Sequence, residues 1–507
     1  MPSYLTSYES EMTMFDEPIL PKDDLNNSAL LNVHLWSDYP EVNDFIWRIY
    51  TKFFEDKLKN VRQKHLKVVL LHLYVVWRDD PTYYTAVHLN ERQYKAKSRY
   101  NSLFISRLTI PIVKELERLN LITLKRGYFL KDNDGRNRCS RIRPTEKLIE
   151  EFKDARFNIF DIQIHKDCEC IVLRDEEKND IQYEDTDQTV SMRSFLRLFN
   201  YMLRHTHIDC SHLDHSSVTK SDGSIIHVGH HHKFVRRIFS RRSWIQGGRF
   251  YGGFWQNIPK GHRTYIRIDG ERTVETDFKG LHISLLYAKK GIHYFNEYGF
   301  KDDPYEVHIP NVTDEQDRRW LIKSLILTAV NAANEKEAFR AFQKEANFEG
   351  RTIDGVSFTF DFLRWILHAL LEKHQPIADM FCSDEGIDLQ YIDSRITNRI
   401  LHHFSRDGIV VLPIHDSYII AEKHAEDLRR AMYNAWAIEA GMAIDDSVAS
   451  KLNLYSGFTV VKQEGYVDEL YSDDIWEHKQ IIEAKAQEYV SPRYEHDLKE
   501  FQLWLKS

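Results

Sequence analysis

The chain has 507 residues, 42% of them hydrophobic, with a net charge of −8, enough apolar material for roughly two to four domains. No apolar run approaches the ~18 residues of a membrane span, and the opening MPSYLTSYESEMTMFDEP carries acids where a secretory leader has a basic region and an apolar core. The expectation is a soluble, cytoplasmic protein with no membrane partner. Cys139, Cys168, Cys170, Cys210 and Cys382 form one CxC and no CxxC, which suits reduced thiols better than a disulfide framework.

Residues 1–60 are polar and aromatic without a clear period, and no role is predicted for them. LKVVLLHLYVVW (66–77) reads as a buried helix or strand. SRYNSLFISRLTIPIVKELERLNLITL (98–124) then reads as two short helices and a strand. The second helix has Ile110, Ile112, Val113, Leu116 and Leu119 on one face and ends at Asn120. A turn at LKDNDGRNRCS and a basic strand, RIRPT, follow. Helix, turn, helix and two-stranded wing: residues 61–150 resemble a winged helix-turn-helix domain, with Ser106 to Asn120 as the recognition helix and residues 125–143 as the wing. The resemblance implies DNA contacts from Arg107, Arg126, Arg136, Arg138 and Arg141. A winged fold used only for packing or protein contacts is the alternative.

Residues 151–190 form a connector. Its acidic part, LRDEEKNDIQYEDTDQT (173–189), has almost no large apolar side chain and reads as a linker or surface excursion, with a boundary near 190. One long domain (191–455) is expected next, with a helix from Met192 to His205, strands near 264–288, helices at 315–345, 358–374 and 390–405, and a hairpin at 409–421. A helical tail, 456–507, ends the chain.

Net charge hides a segregation, because no acid occurs from Gly223 to Ile268. Lys233, Arg236, Arg237, Arg241, Arg242, Arg249, Lys260, Arg263 and Arg267 alternate there with Phe234, Phe239, Trp244, Phe250, Tyr251, Phe254 and Trp255. Such a pattern suits a phosphate backbone with stackable bases, or else a solvated face over a buried aromatic stripe.

Two further stretches carry acids in apolar surroundings. In TVETDFKGLHISLLYA (273–288), strand alternation puts Glu275 and Asp277 on one face before Gly280 and an apolar helix. In VVLPIHDSYII, Pro413 is tolerated near a hairpin tip and Asp416 is expected just past the turn with its carboxylate exposed. Each acid taken alone is an ordinary turn residue.

As a set, residues 247–421 resemble the catalytic core of the A-family nucleic-acid polymerases, the group of bacterial polymerase I and the single-subunit phage-type RNA polymerases. GGRFYGGFWQNIP (247–259) is similar to that family's Gly-Arg segment, VETDFKGLH to motif A, Arg319-Trp-Leu-Ile-Lys323 to motif B, and IHDS (414–417) to motif C. The resemblance implies an α+β, right-hand polymerase: a palm with an antiparallel sheet, helical fingers and a small thumb. It implies that Asp277, Asp416 and the Phe278 carbonyl hold two Mg²⁺ ions, with Asp277, Asp416 and Lys323 catalytic. Arg319 and Lys323, four apart on one helix face, would grip the triphosphate. Arg249, Gln256, Asn257, Gln390 and His415 would contact primer and template. The implied partners are a DNA template with primer and nucleoside triphosphates; no protein partner is implied.

Departures from the family pattern bear on sugar choice. His282 stands where DNA-making members carry a gating Glu, Asn331 where both branches carry a Tyr, and Ser417 follows the motif C aspartate as in the RNA polymerases. The balance leans to DNA synthesis. An RNA polymerase or primase, and a DNA-binding initiator with an inactive polymerase-like domain, are the alternatives. HTHIDCSHLDH (205–215) fits no common zinc spacing, so zinc is not expected; a nuclease built on those histidines is the weakest reading.

Overall fold

The computed structural model describes residues 25, 27–54, 60–128, 138–298, 302–441, 458–461 and 489–507. Arg136 and most of the tail up to residue 488 lie outside them. Helices and strands mix throughout, and the chain divides into two compact units. One comprises residues up to Glu169 with Leu213–His227 and Glu500–Ser507; the other comprises Cys170–His212 and Val228–Lys499.

The first unit holds a four-stranded sheet in the order Ser28–Leu30, Tyr84–Val87, Ser140–Pro144, Ile122–Lys125. Helix Asn60–Asp79 crosses its core with Leu66, Val69, Leu70 and Leu73 fully buried, beside Val113 and Leu116 of helix Thr109–Arg118. Strands Ile122–Lys125 and Ser140–Pro144 pair antiparallel. Only one of the two helices expected between 98 and 124 forms. Over 98–108 the chain turns instead: the Asn101 side chain donates to the Ile105 carbonyl (2.8 Å) and accepts from its N–H (3.0 Å), a side-chain bond that competes with the helical ladder. A helix also forms in residues 40–54, where the pattern showed no clear period. Helix Pro40–Phe54 buries Val42, Phe45, Ile46, Ile49, Tyr50 and Phe54, an apolar stripe at helical spacing. Trp47, 56% exposed on the outer face, blurs that stripe in the sequence.

In the second unit the main sheet runs Leu412–Ile414, Ser417–Ala421, Glu271–Phe278, Ile266–Ile268, Ile208–Cys210. Phe458–Val461 also pairs antiparallel with Glu271–Phe278. The tail expected to be helical thus contributes a strand here before its helix, Pro492–Lys506. A smaller sheet joins Gly247–Tyr251, Arg236–Phe239 and Ile171–Leu173. Helices Asp187–Arg204, Leu281–Lys289, Glu315–Asn331, Glu335–Glu349, Phe360–Lys373, Gly386–Ser405 and Ala425–Ala440 complete it.

The acidic 173–189 stretch is the surface excursion of the two readings. Tyr183 donates to the Ile171 carbonyl (2.8 Å), and Asp180, Glu176 and Asp185 pair with Arg174, Arg242 and Arg193. The acid-free basic stretch is largely spent inside the unit. Phe239, Phe250, Phe254 and Trp255 are buried, as are Lys233 and Arg237. Arg241, Arg249 and Arg263 pair with Asp384, Asp393 and Glu275. The buried aromatic stripe is therefore the better description of these residues, because Arg241, Arg242, Arg249 and Arg263 each find an acid and Arg237 is buried among neutral acceptors. Among the described residues no helix is long and apolar enough to cross a membrane.

Phe45, 4% exposed, packs against Tyr74, Phe152 and Phe157. Phe45→Ala is expected to lower the stability of the first unit by about 3–5 kcal/mol, read as an earlier transition in urea unfolding followed by circular dichroism.

Candidate active site

Strand Glu271–Phe278 is the spine of the site. Its register against Ser417–Ala421 sets Asp277 opposite Ser417, and Ile414 pairs with Ser417 across the hairpin. His415 and Asp416 are consequently the two turn residues themselves, and Asp416 sits in the turn rather than just past it. His415 takes φ 52°, the positive value that tight two-residue hairpins demand. The Phe278 N–H donates to the Asp416 carbonyl (3.3 Å), fastening the turn beside Asp277. At Gly280 (φ 65°) an added Cβ would lie 2.8 Å from Pro304 Cγ. Only glycine lets the strand turn so sharply into helix Leu281–Lys289.

Burial, then the charges of Asp416 and Glu275, push the Asp277 carboxyl up to about 7, while Lys323 pulls the other way. Asp277 Oδ1 is buried without a hydrogen-bond partner among the described residues. Glu275 shares the face, as strand alternation requires, but is occupied: Arg263 donates to both its oxygens (2.9 Å each) and the Ser417 hydroxyl adds a third bond (2.9 Å). Asp277 and Asp416 are left as the acids open to a ligand.

Two cations approach from helix Glu315–Asn331. Burial and neighbouring Arg319 lower the Lys323 pKa, opposed by Asp277, Asp303 and Asp416, so its charge is felt at both carboxylates. Lys323 Nζ and Arg319 Cζ lie 5.1 and 5.6 Å from the Tyr305 ring centroid. Arg319 donates to Asp303. Against its burial, Asp303 is held below the usual carboxylate range by the Tyr305 N–H and by Arg319. Burial, then the Asp416 and Asp277 charges, raises the Tyr305 phenol, which places that ring at the same corner.

Arg249 is gripped from two sides. Its Nε donates to Asp393 Oδ2 (2.6 Å), and its Nη2 lies 3.2 Å from His282 Nε2. Burial and Arg249 push His282 down to about 4, so the neutral ring accepts this bond. Asp393 is fully buried and pushed up to about 7 by that burial, against the pull of Arg249. Its Oδ1, like His415 Nδ1, has no hydrogen-bond partner among the described residues. Burial, then Arg249, lowers the His415 pKa, and the ring meets Tyr251 edge-on at 5.6 Å.

Several residues expected to touch nucleic acid are engaged within the protein. Gln256 donates to the Phe250 and Pro413 carbonyls (2.8 and 3.0 Å) and accepts from the Gly252 N–H (2.9 Å). Buried Trp255 also donates to the Pro413 carbonyl (3.0 Å). Together they anchor the Asp416 hairpin. Asn257 is exposed and Gln390 half-buried. Asn331 donates to the Leu327 carbonyl (2.7 Å) of its own helix and closes against Gly386, where an added Cβ would come within 1.9 Å of Asn331 Oδ1. In the first unit Arg107 pairs with Glu91 (2.7 Å) and Arg126 with Glu117 (3.1 Å). Arg138 lies in the bridge to Tyr128. Arg141 donates to the Leu25 and Cys139 carbonyls (3.0 and 2.9 Å), so its guanidinium is held by the unit's own main chain.

Asp393 and Tyr305 escaped the sequence reading, and Arg263 was placed in the basic stretch but not at the acids. Asp393 had a signal: an acid among Leu389, Ile396 and Ile400, on the buried face of its helix. Tyr305 had none, and nothing local tied Arg263 to Glu275, since only tertiary packing brings them in.

Among the described residues no group of three or more His, Cys, Asp or Glu side chains is arranged to hold a metal ion. The histidine-rich segment instead bonds locally, His205 at the Tyr201 carbonyl (2.8 Å) and His212 at His262 (2.8 Å). The Asp277–Asp416 corner still has the chemistry of a hard-cation site. It offers two carboxylates close enough for the charge of one to shift the other, and Asp277 Oδ1 is buried with no donor among the described residues. No protein-family model matches the chain, and no curated protein matches it.

A carboxyl whose folded pKa lies above its unfolded value binds more protons when folded, so its burial costs stability as pH rises through that interval. Asp277→Asn removes the buried charge. It should melt at a higher temperature than wild type at pH 8, and the gain should shrink as pH falls from about 7 toward the ordinary carboxylate range, as thermal melts across that window would record.

Proposed function

We propose that the protein is a template-directed nucleotidyltransferase, a polymerase of the A-family type that extends a DNA primer. The observation that carries this reading is the Asp277–Asp416 corner. Two acids 139 positions apart in the sequence meet across one strand register, with Asp277 Oδ1 buried and unpartnered among the described residues and the charge of Lys323 reaching both. The order of the flanking segments supports it: the Arg249 strand, the acid strand, the Arg319–Lys323 helix and the acid hairpin follow one another as in motif order.

Asp277, Asp416 and the Phe278 carbonyl would hold Mg²⁺, which when bound activates the primer 3′-oxygen and neutralises the triphosphate. The remaining work belongs to side chains. Lys323 and Arg319 bind the β- and γ-phosphates from one helix face, Arg319 leaving Asp303 to do so. Tyr305, under both cations, lines the nucleotide's approach. Neutral His282, fixed by Arg249, stands where a ring would crowd a ribose 2′-hydroxyl, which favours deoxynucleotides. Ser417, spent on Glu275, no longer argues for RNA synthesis. His415 borders the primer end.

The first unit, on the same proposal, is a winged helix that brings the catalytic unit to DNA. Helix Thr109–Arg118 leaves Lys114 and Arg118 exposed. The pairs of Arg107 and Arg126 lie at the surface, where such bonds are worth about 1 kcal/mol or less and yield readily to phosphate.

Extension of a primed DNA template with Mg²⁺ tests the mechanism. Asp277→Ala and Asp416→Ala should each abolish it, and Lys323→Ala should slow it by about 10²–10³-fold; activity surviving both aspartate substitutions would sink the proposal. His282→Gly should raise ribonucleotide incorporation relative to deoxynucleotide in the same assay, and unchanged selectivity would remove the gate.

A further inference from the structure

Helix Gly386–Ser405 turns a second face away from the catalytic corner. Leu389, Asp393, Ile396, Thr397 and Ile400 are buried. Tyr391, Arg395, Asn398, Arg399 and His402 recur at helical spacing on the opposite side, and Arg406 at the C-cap continues the row. That row walls a cavity of about 1100 Å³, faced by Arg430 and Asn434 of helix Ala425–Ala440 and floored by Arg237 and Phe239. The volume is at the upper end of what a single small ligand requires, so a length of polymer suits it better.

Its charge is unbalanced in a specific way. Arg395 (2.7 Å) and Arg399 both pair with Glu439, whose side chain is 4% exposed; one carboxylate cannot neutralise two guanidiniums. Arg237 is 5% exposed and, among the described residues, its hydrogen-bond partners are all neutral: the Gly248 carbonyl (2.8 Å), Ser394 Oγ (3.2 Å), Asn398 Oδ1 (3.4 Å) and Met192 Sδ (3.4 Å). A buried charge without a counterion is costly, and an anion in the cavity would relieve it. Asp407 and Asp427 line the same cavity, and Arg430 pairs with Glu426 at 3.8 Å on its own helix, at the surface where such a pair yields readily to phosphate. Flat rings are available too. Arg395 lies 6.0 Å over Tyr391, and His402 stacks on Phe195 at 3.5 Å.

We infer that this cavity is a second nucleic-acid site that takes an unpaired strand, its phosphates meeting Arg395, Arg399, Arg406 and Arg430 and its bases lying against Tyr391 and His402. Cationic walls with interleaved rings are the recurring solution for single strands. The inference extends the nucleic-acid reading of the chain without depending on catalysis at Asp277, since binding is measured separately from extension.

The test is fluorescence anisotropy of the full chain with a labelled single-stranded oligonucleotide, with circular-dichroism melts as the folding control. Arg406→Ala with Arg430→Ala should weaken binding by about ten-fold and flatten the salt dependence by about 1.4 log units per log unit of salt, the counterion release of two lost contacts. Arg340→Ala with Lys344→Ala, on an exposed helix elsewhere, should change neither. Asp427→Asn, which removes a negative charge from the wall, should tighten binding two- to three-fold. Affinity unchanged in the arginine variant, or lost equally in the control pair, would overturn the site. An equal loss for a duplex of the same length would overturn its assignment to an unpaired strand. Inorganic polyphosphate competing as well as the oligonucleotide, phosphate for phosphate, would overturn the role of the bases.

Discussion

Burying like charges together is the constraint around which the second unit is arranged. Asp277, Glu275, Asp416 and Asp393 converge on one corner where the sheet and helix Gly386–Ser405 meet. Left alone, four carboxylates there would repel and would be costly to desolvate. The chain answers each differently. Glu275 is quenched by Arg263 and Ser417, and Asp393 is met by Arg249 on one oxygen only. Asp277 and Asp416 keep the least compensation, with Lys323 at a distance. Sites that do chemistry are commonly the places where such strain is retained.

Much of this was legible in the sequence, and the reasons differ by element. Strand Glu271–Phe278 and the hairpin that follows could be read because apolar alternation broken by an acid is a local signal. Helices such as Gly386–Ser405 could be read because their buried face repeats at helical spacing. The ring of Tyr305 under Arg319 and Lys323 could not, because no local pattern announces a loop that folds back over a distant helix. Helix Pro40–Phe54 was lost for a simpler reason: an exposed Trp47 imitates a core residue.

The acid-free stretch from Gly223 to Ile268 teaches the complementary lesson. Counting cations along the chain suggested a surface for polyanions, yet most of these arginines serve as internal ties to acids far away in sequence, among them Asp384 and Asp393. Guanidinium forks suit that work, since their fixed geometry can hold a carboxylate, a carbonyl or an imidazole at once. Arg237 is the exception in the stretch, and the other unbalanced cations lie mainly on a helix whose linear composition attracts no attention because its arginines are spread among buried leucines and isoleucines.

The anchoring of the hairpin from two sheets has a mechanical consequence. Proline at 413 contributes no N–H to the ladder, but its carbonyl is clasped by Trp255 and Gln256, which follow directly from the smaller sheet. The tip that bears Asp416 is held from the other side by the Phe278 N–H of the main sheet. The turn is thus a coupling between the two sheets, and a slight tilt of the Gly247–Tyr251 strand would be passed through it to the acid strand. The spacing of the two aspartates can in this way be adjusted from a sheet that contributes neither of them.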